Sequence, residues 1–276
     1  RGMTEQVLNL TSTEKENIHV ALKENLKEEN RYYQYDFFLD NCTTRLRDII
    51  EKYKQPRPLF HPVMPANTRF RQAIHQYLDS GKQYWSKLGI DILLGARTDR
   101  IMTTSQQQFL PDNLMLAMDK STPRMSLSSG NLYQLTNNTD KKSWFTPALF
   151  FSLLLGFFIS LSLSKNKYAQ SVLNGFDGLL FFTSGLLGII LLFMWFFTDH
   201  SMTKNNYNLF WALPTHIIFS FLINKNKPFV KKYFLATAIS LAILLLLWPF
   251  LPQQMNNSLI PVVLLLLYRS AMKYIK

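Results

Sequence analysis

The chain has 276 residues, 47% of them hydrophobic, and a formal net charge of +12. Such a basic excess would suit a nucleic-acid binder, but no nucleic-acid motif accompanies it and the charge of the second half sits in short loops between long apolar runs. A membrane protein is therefore expected and a nucleic-acid partner is not. A single cysteine excludes an intrachain disulfide and leaves the redox compartment open. The chain opens with Arg1-Gly2-Met3, without a start residue or a signal peptide, and reads as the later part of a longer protein or as a processed one.

The first half, to about Lys142, is polar and patterned for short elements. Thr11 and Glu14 have the spacing of a capping box before a helix with Ile18, Ala21, Leu22 and Leu26 on one face. The aromatic run Tyr32-Tyr33-Gln34-Tyr35-Asp36-Phe37-Phe38-Leu39 reads as a buried strand. Asp40 and Asn41, both good N-cap residues, lead into a helix with Leu46, Ile49, Ile50 and Tyr53 at helical spacing. Lys54 to Pro65 is rich in proline and must be irregular. A helix follows Asn67, uses Phe70, Ile74, Tyr77 and Leu78, and stops at Ser80-Gly81; Trp85 to Leu94 forms a short apolar element closed by Gly95. Asp112 begins another short helix after Phe109-Leu110-Pro111, and Leu127 to Leu135, with Gly130-Asn131 in its middle, reads as a small hairpin. His19, His61 and His75 fall at no metal-ligand spacing and read as surface or packing groups.

Cys42 lies in the first turn of its helix. A lone cysteine is commonly a small buried hydrophobe. At a helix start, however, free backbone N–H groups and the helix dipole favour a thiolate and can hold an oxyanion.

From Trp144 onward five apolar segments follow, near residues 144–163, 176–197, 209–223, 233–251 and 259–268. The third contains Pro214 and the fifth needs its tail through Ile275 to cross a core of about 30 Å, so these two either span or are re-entrant or interfacial. Lys165, Lys167, Lys225, Lys227, Lys231, Lys232, Arg269, Lys273 and Lys276 lie in alternate loops and at the C-terminus, which the positive-inside rule places in the cytoplasm. The half carrying Cys42 then lies on the opposite face, the periplasm in a bacterium. Asp177 in the second segment is either a functional acid or a solvated or paired structural group. The outer loop from Thr198 to Asn208 is more polar than a turn needs; His200 beside Asp199 is either an oriented base, a headgroup ligand or part of a solvated loop.

At Tyr35-Asp36-Phe37-Phe38-Leu39-Asp40-Asn41-Cys42-Thr43-Thr44-Arg45 the sequence resembles the Lnb family, lipoprotein N-acyltransferases of Bacteroidota. Leu8-Asn9-Leu10-Thr11, Leu93-Leu94-Gly95 with Asp99, Phe109-Leu110-Pro111 and Thr198-Asp199-His200 extend the resemblance over nearly the whole chain. It implies an α+β periplasmic domain over 1–142, partial and similar to a circularly permuted NlpC/P60 or papain-like fold. An all-α transmembrane bundle of about five helices would follow over 143–276, in the bacterial inner membrane with a cytoplasmic C-terminus. The family's upstream Gly-His segment has no counterpart here, so the histidine base is expected before Arg1.

The chemistry implied is a two-step acyl transfer. Cys42 attacks a phospholipid acyl ester, and the α-amine of a diacylated lipoprotein takes the acyl group from the thioester, with no metal or other cofactor. Asn41 would support the oxyanion. Arg45, with Arg47, either steers lipid phosphates or belongs to a solvated helix face. Asp99, Asp199 and His200 are the remaining candidate substrate-binding residues. Two rivals share parts of this reading: a membrane-tethered cysteine hydrolase, and a non-catalytic membrane scaffold.

Overall fold

The computed structural model describes residues 2–134 and 144–275. The chain divides into two compact units, Arg1–Ala73 with Arg100–Lys141, and Ile74–Asp99 with Lys142–Lys276. Residues 74–99 thus group with the apolar half instead of with the rest of the expected 1–142 domain.

The first unit is a small mixed α/β body. Strand β1 (Gly2–Leu8) pairs antiparallel with β2 (Ser126–Gln134), from Gly2 opposite Gln134 to Leu8 opposite Ser126. The expected hairpin around Gly130-Asn131 is therefore one continuous strand with a partner more than a hundred residues away in sequence, and Leu135, its expected end, lies outside the described residues. Helix α1 (Ser12–Asn25) starts at the expected capping box: Thr11 Oγ1 accepts from the Glu14 N–H, and a Glu14 carboxylate oxygen accepts from the Thr11 N–H. Glu14 is the one buried residue of α1; of its expected apolar face, Leu22 and Leu26 are exposed. The Glu14 carboxylate also accepts from the Gln55 backbone N–H at 2.8 Å and from Lys54 Nζ at 3.2 Å, fastening the start of α1 to the end of helix α2 (Cys42–Tyr53).

The aromatic run is not a buried strand. Asp36 Oδ1 accepts from the backbone N–H groups of Phe38 and Leu39, and Asp36 and Asp40 exchange both backbone hydrogen bonds, which closes a tight loop. Only Phe38 of the run is buried; Tyr32, Tyr33, Tyr35 and Phe37 are exposed. Phe38 packs with Phe70 and Phe109 at ring-centroid separations of 5.6 to 5.7 Å, an aromatic core behind the start of α2. A second apolar cluster joins Ile50 of α2 to Leu114 and Met118 of helix α5 (Pro111–Lys120) and to Met125.

In the second unit, helix α3 (Phe70–Ser80), within which the division between the units falls, and helix α4 (Tyr84–Leu93) are followed by a 3-10 turn over Ala96–Asp99. The apolar half contains α6 (Pro147–Leu163), α7 (Lys167–Phe196), α8 (His216–Leu222), α9 (Pro228–Leu247) and α10 (Ile260–Ile275). Among the described residues three spans are long and apolar enough to cross a membrane, Lys167–Phe196, Pro228–Phe250 and Asn257–Ile275, and α6 is a shorter apolar helix of 17 residues, about 26 Å long. The third expected segment is broken: a 3-10 turn at Tyr207–Phe210 and Pro214 leave only the seven residues of α8 helical. It lies so close on α7 that a Cβ at Gly188 would overlap the Ala212 carbonyl oxygen. Large apolar side chains such as Leu153, Phe157, Phe196, Leu246 and Phe250 face outward, as a lipid solvent requires.

Asp177 is paired, not solvated. Its buried carboxylate takes a two-pronged bond from Arg269 (Nε to Oδ1 2.6 Å, Nη2 to Oδ2 2.9 Å) and a further one from Lys273 at 2.9 Å. The polarity of the loops after α7 and α9 has a local cause as well. Asn206 Nδ2 donates to the Ile92 and Leu93 carbonyls, Asn208 Nδ2 to those of Asp91 and Ile92, and Gln253 Nε2 to that of Leu94. The backbone N–H groups of Gly95 and Ala96 donate to the Met202 and Asn205 carbonyls. A Cβ at Gly95 would collide with the Lys204 carbonyl. Residues 91–96 are thus received by the loops that follow α7 and α9.

Candidate functional site

Cys42 is the first residue of α2 and is exposed. The turn that presents it is held by Asn41, which is only 4% exposed and uses its whole side chain. Asn41 Oδ1 accepts from the Thr43 and Thr44 backbone N–H groups at 2.8 and 2.9 Å, and Nδ2 donates to the Phe37 and Phe109 carbonyls at 2.8 and 2.9 Å. The Thr44 hydroxyl completes the cap by accepting from the Asn41 N–H at 2.9 Å. Asn41 is therefore a positioning residue: with both amide hydrogens engaged on carbonyls, its side chain has no donor for an oxyanion. The backbone N–H of Cys42 itself has no hydrogen-bond partner among the described residues. It is the orphan donor of the helix start nearest the sulfur, and the place where a developing oxyanion would be held.

Arg45 is also engaged locally. Its guanidinium forms a two-pronged pair with Asp40 (2.8 and 2.9 Å) and stacks over the Tyr33 ring at 3.5 Å. Arg47 donates to Asp48 and to the Ser105 carbonyl. Both side chains brace the loop and helix around Cys42 and do not stand free for a phosphate.

Cys42 lines a groove of about 540 Å³ built wholly from the first unit. One wall is α2, with Cys42, Leu46 and Ile50 on the same helical face; alternate residues of β1, including Gln6 and Leu8, and the face of α5 from Pro111 to Met118 supply the others. None of the chain's five histidines lines it. His61 hydrogen-bonds the Thr122 hydroxyl, His75 the Asp91 carboxylate at 2.8 Å, and buried His216 the Tyr233 hydroxyl.

Sequence reasoning also missed that Tyr35 is electrostatically coupled to Cys42. Desolvation first, and then the neighbouring Cys42, push its hydroxyl above the usual phenol range. The signal was present, since Tyr35 stands seven residues before Cys42, but a run assigned to a buried strand offers no hydroxyl to a site. The other candidates lie elsewhere. Asp99 is buried at the end of the Ala96–Asp99 turn, and Asp199 and His200 are exposed in the loop after α7. All three belong to the second unit, and none lines the groove at Cys42.

Two family models match the chain. Residues 1–73 match the Lnb N-terminal periplasmic domain, and residues 139–276 match the Lnb transmembrane domain. No curated protein and no solved structure matches it.

Proposed function

Because the chain belongs to the Lnb family, as a membrane protein with a periplasmic N-terminal domain, we propose that Cys42 is the nucleophile of a lipoprotein N-acyltransferase. The observation that carries this reading is an exposed thiol at the first position of a helix, beside an unpaired backbone N–H and at the side of an apolar groove. In the first step the sulfur loses its proton and bonds to the acyl carbon of a phospholipid ester. The ester C–O bond breaks, and the leaving glycerol oxygen takes up a proton as the lysophospholipid departs. In the second, the α-amine of a diacylated lipoprotein bonds to the same carbon, the C–S bond breaks, the amine gives up one proton and the thiol is restored.

The Cys42 N–H stabilises the oxyanion of both tetrahedral intermediates. Asn41, through its four hydrogen bonds, fixes the turn that presents it. A permuted NlpC/P60-like arrangement, an inner-membrane location and a cytoplasmic C-terminus belong to the same proposal; the lysine-rich alternate loops support the last two.

The test is mass spectrometry of lipoprotein N-termini from cells lacking the gene, complemented with the unsubstituted gene or with Cys42→Ser. The gene should restore the mass of one acyl chain on the N-terminal cysteine, and Cys42→Ser should restore none. Free fatty acid without any lipoprotein mass change would make the protein a hydrolase, and full restoration by Cys42→Ser would remove the thiol from the mechanism.

A further inference from the structure

The groove at Cys42 has two unlike ends. Helix α5 begins beside the start of α2, since Asn41 donates to the Phe109 carbonyl two residues before Pro111. Both helices then run on to a shared apolar cluster in which Ile50, Leu114 and Met118 are 2 to 3% exposed. The polar groups of the helix walls, Thr43 and Asp112, belong to the first turns of the two helices, at the Cys42 end; the β1 wall adds Thr4 and Gln6, whose amide is engaged on the Met115 carbonyl, and ends in Leu8. Beyond them the helix walls are aliphatic or thioether, and the helix face from Cys42 through Leu46 to Ile50 rises about 12 Å. The helix walls are polar where the sulfur stands and apolar beyond it, and they end on packed side chains.

Those features select a ligand that is linear, apolar along its length and polar at one end only. Resting on the acyl-transfer reading above, we infer that the groove is an acyl-chain site. The carbonyl end of a lipid ester sits at Cys42, the chain lies along α2, and its terminal methyl stops against Ile50 and Met118. The depth of the groove then sets which chain lengths are transferred.

Two measurements test this on the full chain. Met115→Trp narrows the groove from a half-buried wall position, and Met118→Ala deepens its floor. Mass spectrometry of lipoprotein N-termini should show the transferred chains shifting shorter with the first, by an extended length of roughly one helical turn, about 5 Å. They should shift longer with the second. An unchanged chain-length profile at undiminished N-acylation overturns the acyl site while leaving Cys42 as nucleophile.

In case both variants misfold, the second measurement leaves the groove unsubstituted. Cys42→Ala protein in detergent is photolabelled with a phosphatidylethanolamine bearing a diazirine at the end of one acyl chain. Adducts on peptides containing Ile50, Leu114 or Met118 support the site, and adducts confined to the membrane helices overturn it. Labelling needs no chemistry at Cys42. A labelled groove, in a protein whose Cys42→Ser form still restores N-acylation, would sink the thiol reading and leave the groove standing.

Discussion

Replacing Asn41 separates two jobs that its side chain performs at once. As an N-cap it satisfies the Thr43 and Thr44 N–H groups; as a donor it satisfies the Phe109 carbonyl, which is buried, and the Phe37 carbonyl, which water can reach. Asn41→Ala loses the cap, worth about 1 kcal/mol. It also strands one buried acceptor, worth about 1–3 kcal/mol. The local opening of α2 should therefore become easier by about 2–4 kcal/mol, which is roughly 30- to 700-fold in the opening equilibrium. Asn41→Asp is the decisive comparison. It keeps both accepted bonds and puts a negative charge at a helix start, which by itself is favourable by about 0.3–1 kcal/mol. Yet it aims a carboxylate oxygen at the Phe109 carbonyl, where the amide now donates at 2.9 Å. Hydrogen–deuterium exchange of peptides over residues 37–53 reads the opening directly, with peptides of α7 as an internal control. Both variants should exchange much faster than the unsubstituted protein over that stretch alone. If Asn41→Asp protected α2 as well as Asn41 does, capping would be the whole of its role and the proposed anchoring of the site to Phe109 would be wrong.

Acid should loosen the first unit through Glu14. The Gln55 and Thr11 backbone N–H groups, followed by Lys54, lower its carboxyl from 4.5 to about 2. A pKa depressed on folding contributes stability that is complete above the unfolded value and is lost as pH falls from about 4.5 through about 2. The amount is on the order of 2–3 kcal/mol. Exchange over residues 11–17 and 50–56 should accelerate across that window, and Glu14→Gln should abolish the pH dependence while costing stability at neutral pH. In the membrane half, Asp177→Asn strips the carboxylate from the buried Arg269 and should cost about 3–5 kcal/mol, whereas Lys273, half-buried and also bonded to Asn174 and Asn224, can be replaced by Met with the Arg269 pair intact and at far less cost. Thermal unfolding of the two variants in detergent checks this, and equal midpoints would mean that the Asp177–Arg269 pair carries no special weight.

How much of this was legible beforehand depended on the range of the interactions involved. Capping chemistry is local, so Thr11 with Glu14 and Asn41 before Cys42 announced two helix starts correctly. Apolar runs are equally local, and the long membrane helices followed from them. The aromatic run failed because alternating large side chains fit a buried strand and an exposed loop alike; the Asp36 side chain, taking the Phe38 and Leu39 N–H groups, decided for the loop. The pairing of β1 with β2 depends on residues far apart in sequence, and no local pattern marks it. Arg45 was offered to lipid phosphates, but a carboxylate five residues earlier claimed it first. Asp99, Asp199 and His200 were gathered by resemblance alone, and the groove at Cys42 is built without them.

The way residues 91–96 are received by the loops after α7 and α9 has a practical consequence for dissecting the protein. Truncation just ahead of α6 would retain this stretch but discard Asn206, Asn208 and Gln253, the amides that cover its carbonyls. Buried Leu88 would lose the apolar cluster it shares with Trp211 and Met255. Half-solvated peptide would replace an ordered seam, so a cut at that point divides the second unit instead of releasing the first. Biochemistry on the protein calls for detergent or a bilayer from the outset.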